Sequence, residues 1–284
     1  MKRISIHNID FRALGPLIWT LALLALIATL MGVVRNDFYQ DDEWVRAQWL
    51  GQDAVTLAFG IPLLLLAAKK AIVSGQLIWE LVLAGTLLYF SYTYTFYVFE
   101  ANFTFLYFFH LPIFSLSLLC FFMVCHHILN ARNHYAFTDR FSRFTIVFYL
   151  LLISAMLGWL WMKDLISHLT IEEFLSQTPD GEPPLVIYTL DLGVLIPLAV
   201  IACLLLLRNH ALGLILTGIV LTKTFLLGFA LMAMSLSMYW QGLDPDTFLI
   251  RLWSFVGLAG LMLSVVYLNK LRVYPVPEPG REGA

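Results

Sequence analysis

The chain consists almost entirely of apolar runs that are each long enough to cross a lipid bilayer, and this feature constrains its fold more than any other. A helix rises 1.5 Å per residue, so about 20 apolar residues are needed to cross roughly 30 Å of hydrocarbon. Eight runs of the sequence reach this length. We predict spans at residues 14–34, 54–72, 77–99, 103–127, 144–165, 187–207, 211–238 and 248–270.

The predicted fold class is an all-α polytopic transmembrane bundle, formed by one integral membrane domain over residues 1–284. Lipid offers no hydrogen-bond partner to the backbone, so each span must satisfy its own peptide groups, as a helix does. The alternating segments of about ten residues that make a transmembrane barrel are absent from the sequence. With 60% hydrophobic and 13% charged residues, a water-soluble protein of this length would expose too much apolar surface.

The connections between the spans alternate in charge, which predicts their orientation. Lys and Arg accumulate on the cytoplasmic side. We therefore expect a bacterial cytoplasmic (inner) membrane protein with both termini in the cytoplasm and the first run kept as an uncleaved span. The basic connections contain Lys69, Lys70, Arg132, Arg140, Arg143, Arg208, Lys270 and Arg272. The acidic connections contain Asp37, Asp41, Asp42, Glu43, Glu100, Glu172, Glu173, Asp180, Glu182, Asp244 and Asp246.

Two outer segments, residues 36–51 and 164–184, are longer than simple links. Their aromatic residues suit headgroup depth, where amphipathic rings are enriched. The alternative is that they form a lid over an outward-facing cavity. Within the second segment, Thr170-Ile-Glu-Glu173 has the pattern of a helix capping box and predicts the start of a short helix.

Asp191 in the sixth span and Lys223 in the seventh are the strongest functional candidates. An ionised side chain in the hydrocarbon core costs several kcal/mol unless it is paired or hydrated. Counting from the inner ends of the two spans, we expect their Cα atoms to differ in depth by roughly 6–8 Å, which a lysine stem can bridge. One interpretation is a structural ion pair. The other is a pair that couples to protons or substrate in a polar pathway.

Gln52 and Asp53 open the predicted second span and are further binding candidates. Asp53 fits a helix N-cap, because its carboxylate can accept hydrogen bonds from the first free N–H groups. The alternative places Asp53 beside Asp191, where two carboxylates could bind a cation. Glu80, near the inner end of the third span, is expected to pair with Lys69 or Lys70.

Tyr89, Tyr92 and His110 complete the candidate binding residues. Tyr89 and Tyr92 lie deep in the tyrosine-rich third span, where each hydroxyl needs a partner. They either pack inside the bundle or line a pocket for an apolar or cationic group. His110 in the fourth span fits a hydrogen-bonded packing residue. We predict no metal site, no cofactor and no catalytic residue.

The second and sixth spans follow a similar plan, in which an aspartate precedes an apolar run that contains Pro62 or Pro197. Four spans separate the two copies, so this predicts a four-plus-four parallel repeat, an arrangement found among transporters. In the eighth span, Gly257-x-x-Gly260 predicts a close contact between helices.

Two groups of short motifs also carry a resemblance to a known family. They are Trp49-Leu-Gly-Gln-Asp53-Ala-Val-Thr-Leu57 with Pro62, and Asp191-Leu-Gly193 with Pro197, Lys223 and Gly228. Through them, the region from Trp49 to Met234 resembles a family of bacterial multi-pass membrane proteins with no assigned activity. The resemblance implies an address in the bacterial cytoplasmic membrane and no mechanism.

Three functions remain open at this point. The first is a small-molecule or ion-coupled permease that uses Asp191 and Lys223, with Asp53 contributing. The second is a non-catalytic membrane sensor or assembly partner, and the third is a membrane enzyme on a lipid-borne substrate with His110 or a carboxylate as its base. The expected partners are the lipid bilayer and a small-molecule or ion substrate. The absence of a Lys/Arg-rich stripe argues against nucleic acid.

Overall fold

The protein folds as a bundle of α-helices, described here from a computed structural model that covers residues 11–131, 133–170 and 184–275. Within these ranges, eight helical segments are long and apolar enough to cross a membrane, as the all-α polytopic prediction requires. The helices are α1 Leu14–Val34, α2 Glu43–Val55, α3 Ile61–Ser74, α4 Leu77–Phe99, α5 Tyr107–Asn130, α6 Arg140–Thr170, α7 Leu185–Leu190, α8 Ile196–Leu207, α9 Ala211–Trp240 and α10 Thr247–Lys270.

Two of the eight spans are interrupted by a π-helical turn. In the second span, Thr56–Gly60 joins α2 to α3. In the sixth, Asp191–Leu195 joins α7 to α8. Such single π turns widen the helix locally and occur frequently at functional sites.

A proline explains both interruptions. Pro62 and Pro197 each lie two residues after the end of the π turn that precedes them. A proline has no N–H to donate to the carbonyl four residues earlier, which here belongs to Ala58 or Gly193 inside the π turn. The predicted repeat therefore extends to the local geometry, although the carboxylates differ in register. Asp53 lies three residues before its π turn, and Asp191 is the first residue of its own.

Helices α4 and α9 form the centre of the bundle. Their apolar stretches are 83% and 78% buried, compared with 28–44% for the other six spans. The two central helices pack against each other, and the interrupted spans pack against them. Side chains on the inner faces of α4 and α9 are therefore shielded from lipid on nearly every side.

The predicted close contact at Gly257 is confirmed. A Cβ atom added to Gly228 of α9 would lie 2.5 Å from the backbone nitrogen of Gly257 in α10. The absence of side chains at both positions lets α9 and α10 approach until their backbones touch.

The ends of α5, α6 and α10 are joined by a small clasp. Strand β1 (Asn133–Ala136) pairs antiparallel with β2 (Arg272–Pro275), which follows α10. Beside it, Lys270 donates a hydrogen bond to Asp139 and lowers the pKa of this carboxyl to about 2. The clasp ties the strand that follows α10 to the connection between α5 and α6.

The second span begins earlier than predicted, and this changes the interpretation of Asp53. The predicted start at residue 54 is wrong, because helix already begins at Glu43. Asp53 consequently lies inside the helix, and the N-cap position belongs to Asp42. Tyr39 and Trp49, which belong to the first outer segment, are buried inside the protein. The helix predicted to begin at Thr170 lies outside the described residues.

Candidate functional site

Asp191 lies at the point where the sixth span is interrupted, and only 3% of its surface is exposed. Both of its carboxylate oxygens accept hydrogen bonds. The Tyr92 hydroxyl of α4 donates to Oδ1 at 2.8 Å, and Trp161 Nε1 of α6 donates to Oδ2 at 2.8 Å. Hydrogen bonds from neutral donors stabilise a buried carboxylate and hold it in a fixed orientation.

Lys223 lies near the middle of α9 and is 2% exposed. Its Nζ lies over the ring of Tyr92, 3.6 Å from the ring centroid. This is the geometry of a cation–π contact, which is strongest where water is excluded. The ammonium group is therefore held against the same tyrosine whose hydroxyl binds Asp191.

Tyr92 thus contacts both charged groups, which do not form a direct ion pair. Asp191 attracts Lys223 electrostatically, yet among the described residues no carboxylate oxygen lies within 4.0 Å of Lys223 Nζ. The sequence analysis left open whether the two side chains touch. They meet on opposite parts of one tyrosine, Asp191 at its hydroxyl and Lys223 at its ring face.

A close approach of the two central helices places Lys223 near Tyr92. A Cβ atom added to Gly85 of α4 would lie 2.4 Å from Cβ of Thr222, the residue that precedes Lys223 on α9. Tyr92 follows Gly85 by seven residues, which is two helical turns along the same face of α4. The glycine therefore brings the backbone of α9 close enough for the lysine side chain to reach the ring.

Asp53 forms a second buried site, which shares no hydrogen-bonding partner with Asp191. It is 2% exposed, and each carboxylate oxygen accepts from a tyrosine. Tyr97 of α4 donates to Oδ1 at 2.9 Å, and Tyr39 donates to Oδ2 at 2.7 Å. Burial raises the pKa of Tyr39 well above its ordinary value, so its hydroxyl keeps the proton it donates.

The Asp53 site is packed against the backbone of α1. A Cβ atom added to Gly32 would lie 1.9 Å from Asp53 Oδ2 and 2.9 Å from the Tyr39 hydroxyl. Because Gly32 has no side chain, the Asp53 carboxylate and the Tyr39 hydroxyl occupy the space beside it. No room remains there for a ligand.

Gln52 and Tyr89 belong to a third polar cluster at the start of the first π turn. Gln52 Nε2 donates to the Tyr89 hydroxyl at 2.7 Å and to Thr56 Oγ1 at 3.2 Å. The Thr56 hydroxyl in turn donates to the backbone carbonyl of Gln52 at 3.0 Å. These bonds tie the interrupted second span to α4.

His110 is enclosed by tyrosine rings beside the Asp53 site. The centroid of its ring lies 4.5 Å from that of Tyr97, 5.7 Å from that of Tyr94 and 6.3 Å from that of Tyr39. Only 3% of His110 is exposed, so its imidazole does not open toward lipid.

The seven residues predicted as binding candidates are therefore all buried, yet they do not form one site. The helix α4 contributes to each of three clusters: Tyr92 with Asp191 and Lys223, Tyr97 with Asp53, and Tyr89 with Gln52. Five further residues complete these clusters and were not predicted as members: Gly32, Tyr39, Thr56, Tyr97 and Trp161. Of these, Tyr97 carried a usable signal, because the sequence shows it in the same aromatic span as Tyr92.

Glu80 has a different neighbour from the one predicted. His127 Nε2 of α5 lies 3.6 Å from Glu80 Oε1, and the expected ion pair with Lys69 or Lys70 is not formed. Lys70 instead lies over the ring of Trp79, with its Nζ 6.0 Å from the centroid. Within the described ranges, no group of three or more His, Cys, Asp or Glu residues could hold a metal ion.

Comparison of the chain with models of known families, with curated proteins and with solved structures gave no match. The function is therefore argued from the geometry of the buried clusters.

Proposed function

We propose that this integral membrane protein is an ion-coupled permease for a small solute, and that Asp191, Tyr92 and Lys223 form its solute site. One observation carries the proposal. A carboxylate and an ammonium group are buried near the centre of the bundle, beside an interrupted helix, and they are not paired directly with each other. Ionisable groups at such depth are costly and are retained where they serve transport or a proton relay.

The interrupted spans support transport in particular. Substrate sites of many transporters lie near the bilayer midplane at helices that are broken by Gly or Pro, in corresponding positions of two repeats. Here both π turns precede a proline, and both adjoin a buried carboxylate. A broken helix frees backbone groups to bind a solute and provides a hinge between its two halves.

A structural ion pair accounts less well for the same residues. A buried pair stabilises a protein only if the two groups meet in good geometry and satisfy each other's hydrogen bonds. Asp191 takes its hydrogen bonds from Tyr92 and Trp161 instead. Lys223 Nζ lies over the face of the Tyr92 ring and is attracted by Asp191, and it forms no ion pair within the described residues. The pair therefore contributes little of the stability that would justify two buried charges.

The charge of the connecting segments supports a bacterial cytoplasmic membrane with both termini inside. The basic connections all fall on one side of an eight-span bundle, and the acidic ones on the other. The positive-inside rule then assigns the basic side to the cytoplasm. In this orientation the second and sixth spans enter the membrane from the outer side, so Asp53 lies on the outer side of the first π turn.

No observation favours the enzyme alternative, since His110 would need access to a lipid-borne substrate. Its ring is covered by Tyr39, Tyr94 and Tyr97. A base in this position could not reach a substrate without rearrangement of α4 and of the loop that precedes α2.

Uptake into proteoliposomes tests the proposal. We would load the vesicles with a pH- or Na⁺-sensitive dye and impose an inward gradient of H⁺ or Na⁺. Four classes of solute would then be added outside: small carboxylates, amines, zwitterionic amino acids and neutral sugars. We expect one class to change the lumenal ion concentration, and this response to fall at least tenfold in both Asp191→Asn and Lys223→Met.

Lys163→Met provides the matched control. Lys163 is also a lysine over an aromatic ring, with its Nζ 5.4 Å from the centroid of Trp159, but it is exposed at the surface. This variant should transport at the wild-type rate. The proposal fails if none of the four classes responds above protein-free vesicles, or if Lys223→Met transports like the wild type.

A further inference from the structure

The beginning of the sixth span is fastened to α6 by two reciprocal hydrogen bonds. The Trp161 indole of α6 donates to Asp191 Oδ2 at 2.8 Å, and the Tyr188 hydroxyl of α7 donates to Asp164 of α6. Each span thus supplies one aromatic donor and one aspartate acceptor. The two residues of each span are three positions apart, so they lie on one face of their helix. We call Trp161, Asp164, Tyr188 and Asp191 the latch.

The two aromatic rings of the latch pack against each other. The ring centroids of Trp161 and Tyr188 lie 5.0 Å apart, with 42° between the ring planes. Tyr188 is 3% exposed and lies about one helical turn before Asp191. In the orientation proposed above, the sixth span enters from the outer side, so Tyr188 lies on the outer side of Asp191. A solute that approaches Asp191 along this face of the span would therefore meet the ring pair first.

The sixth span is interrupted at the very residue that the latch holds. The π turn runs from Asp191 to Leu195, and Pro197 donates no hydrogen bond to the Gly193 carbonyl. Prolines and π turns are the usual causes of a bend in a helix. A Cβ atom added to Gly193 would meet nothing within 4 Å, so packing does not fix the turn at this residue. The six residues of α7 can therefore move as a unit relative to α8.

We propose that α7 is the outer gate of the Asp191 site, closed by the latch and opened by a pivot at the π turn. The inference rests on the proposed permease function and names how the same site is regulated. Asp191 is 3% exposed, so a solute reaches it only if a neighbouring segment moves. An interrupted backbone separates α7 from α8, and side-chain contacts hold α7 to α6. Both features suit a segment that opens and closes over a site.

The outer hydrogen bond of the latch is of a kind that can open and close. A buried hydrogen bond that breaks leaves unsatisfied groups, which lowers stability unless water reaches them. Asp164 is half-buried, so water can replace Tyr188 as its donor when α7 moves. Asp53, by contrast, takes both of its hydrogen bonds from tyrosines that are 2% exposed. The latch is therefore the less costly of the two contacts to open.

The labelling rate of a cysteine at position 223 measures whether the gate opens. Lys223→Cys is made in a background without the three native cysteines, and a membrane-impermeant methanethiosulfonate is added to right-side-out vesicles. Tyr188→Phe and Asp164→Ala each remove the same hydrogen bond, so each should accelerate labelling about fivefold or more. The two changes together should accelerate it no further, because they act on one bond.

Tyr149→Phe is the matched control for the latch variants. Tyr149 also lies on α6, and its buried hydroxyl donates to the Val256 carbonyl of α10 at 2.7 Å. This variant removes a tyrosine hydrogen bond between two spans but leaves the latch intact, so its labelling rate should equal that of Lys223→Cys alone. Inside-out vesicles provide a second control, since Tyr188→Phe should not accelerate labelling from the cytoplasmic side.

Four results would overturn the inference. The first is an unchanged labelling rate in both Tyr188→Phe and Asp164→Ala. The second is an equal increase in Tyr149→Phe, which would indicate a general loosening of the bundle. The third is an equal increase from the cytoplasmic side. The fourth is the absence of labelling in every variant, because an outer gate must open.

If neither latch variant folds, Gly193→Ala gives the answer. The new methyl group meets no atom within 4 Å, and it restricts the backbone at the proposed pivot. Labelling at position 223 should slow about threefold or more, and an unchanged rate would overturn the inference. Labelling requires no solute, so the permease proposal is tested separately. A gate that opens without uptake of any solute would refute transport alone, and uptake with labelling indifferent to the latch would refute only the gate.

Discussion

Asp53 and Asp191, two of the buried carboxylates of this bundle, are nearly equivalent in position and differ in what surrounds them. Each adjoins the π turn of an interrupted span, and each accepts a hydrogen bond from a tyrosine of α4. Asp53 is bound by two tyrosines and packed against Gly32. Asp191 shares its tyrosine with a lysine whose ammonium group has no hydrogen-bond acceptor among the described residues.

Under the proposed function, this difference separates a site that holds the fold together from one that is kept for a ligand. At Asp53 the packing is tight, and both carboxylate oxygens accept hydrogen bonds. The cluster therefore links three parts of the bundle: α1, α4 and the loop that precedes α2. At Asp191 the neighbouring ammonium group of Lys223 has no hydrogen-bond acceptor among the described residues. Functional sites commonly retain groups that contribute little to stability. The following predictions test this contrast, beginning with the largest expected effect.

Gly32→Ala should damage the Asp53 site most severely. The new methyl group would lie 1.9 Å from Asp53 Oδ2, and two tyrosine hydrogen bonds prevent this carboxylate from moving aside. Overpacking combined with lost hydrogen bonds should lower the free energy of unfolding by about 3 kcal/mol in reversible unfolding from mixed micelles.

Gly15→Ala, on the same helix, is the control for this change. A Cβ atom there meets only Ile72 Cδ1 at 3.8 Å, an ordinary contact. Its unfolding free energy should stay within about 0.5 kcal/mol of the wild type. Equal effects at the two glycines would contradict the tight packing at Asp53.

Tyr97→Phe should destabilise the protein while leaving solute affinity unchanged. The substitution removes the hydroxyl that donates to Asp53 Oδ1 and leaves this oxygen buried without a donor. A hydrogen bond to a charged group contributes about 1.5–3 kcal/mol, so we expect a loss near 2 kcal/mol. Denaturation and equilibrium binding would be measured on the same preparation.

Tyr94→Phe controls for the loss of a buried tyrosine hydroxyl on the same helix. Tyr94 is 1% exposed, and within the described residues its hydroxyl has no hydrogen bond. Its removal should cost less than about 1 kcal/mol. Weakened solute binding in Tyr97→Phe would show that the Asp53 site takes part in function, and the contrast drawn here would be lost.

Trp161→Phe should reduce solute uptake, and it should lower stability less than the changes at the Asp53 site. Its indole N–H donates to Asp191 Oδ2, but Lys223 still attracts the carboxylate electrostatically after this donor is lost. We expect a loss of about 1 kcal/mol in unfolding free energy. The proteoliposome uptake rate should fall severalfold, because Asp191 loses its fixed orientation. A large loss of stability with normal uptake would place Asp191 with Asp53 as a structural site.

The sequence predicted the membrane architecture well because hydrophobic length is a property of each segment alone. It also drew attention to Asp191, Lys223 and Asp53, since charged residues within apolar runs are conspicuous. It could not predict the partners of these residues. Trp161 lies on another span, thirty residues before Asp191, and no local pattern indicates which faces of two helices will meet.

The error at Asp53 has a related cause. A charged segment before an apolar run was interpreted as a loop, so Asp53 became a helix N-cap. The segment from Glu43 is helical nonetheless, because Ala47, Trp49 and Gly51 are buried against the rest of the protein. A Cβ atom at Gly51 would lie 2.4 Å from the Ala233 carbonyl oxygen of α9. This tertiary contact stabilises the helix in the charged region, and no local sequence pattern indicates it.

The measurement that tests the central claim most directly is the unfolding free energy of Lys223→Met, within a cycle that includes Asp191→Asn and the double variant. If Lys223 is held for a ligand, removing its unsatisfied ammonium group should leave the ligand-free protein as stable as the wild type, or more stable. A structural ion pair predicts instead a loss of roughly 3–5 kcal/mol in Lys223→Met and in Asp191→Asn, most of it recovered in the double variant. That second result would contradict the account.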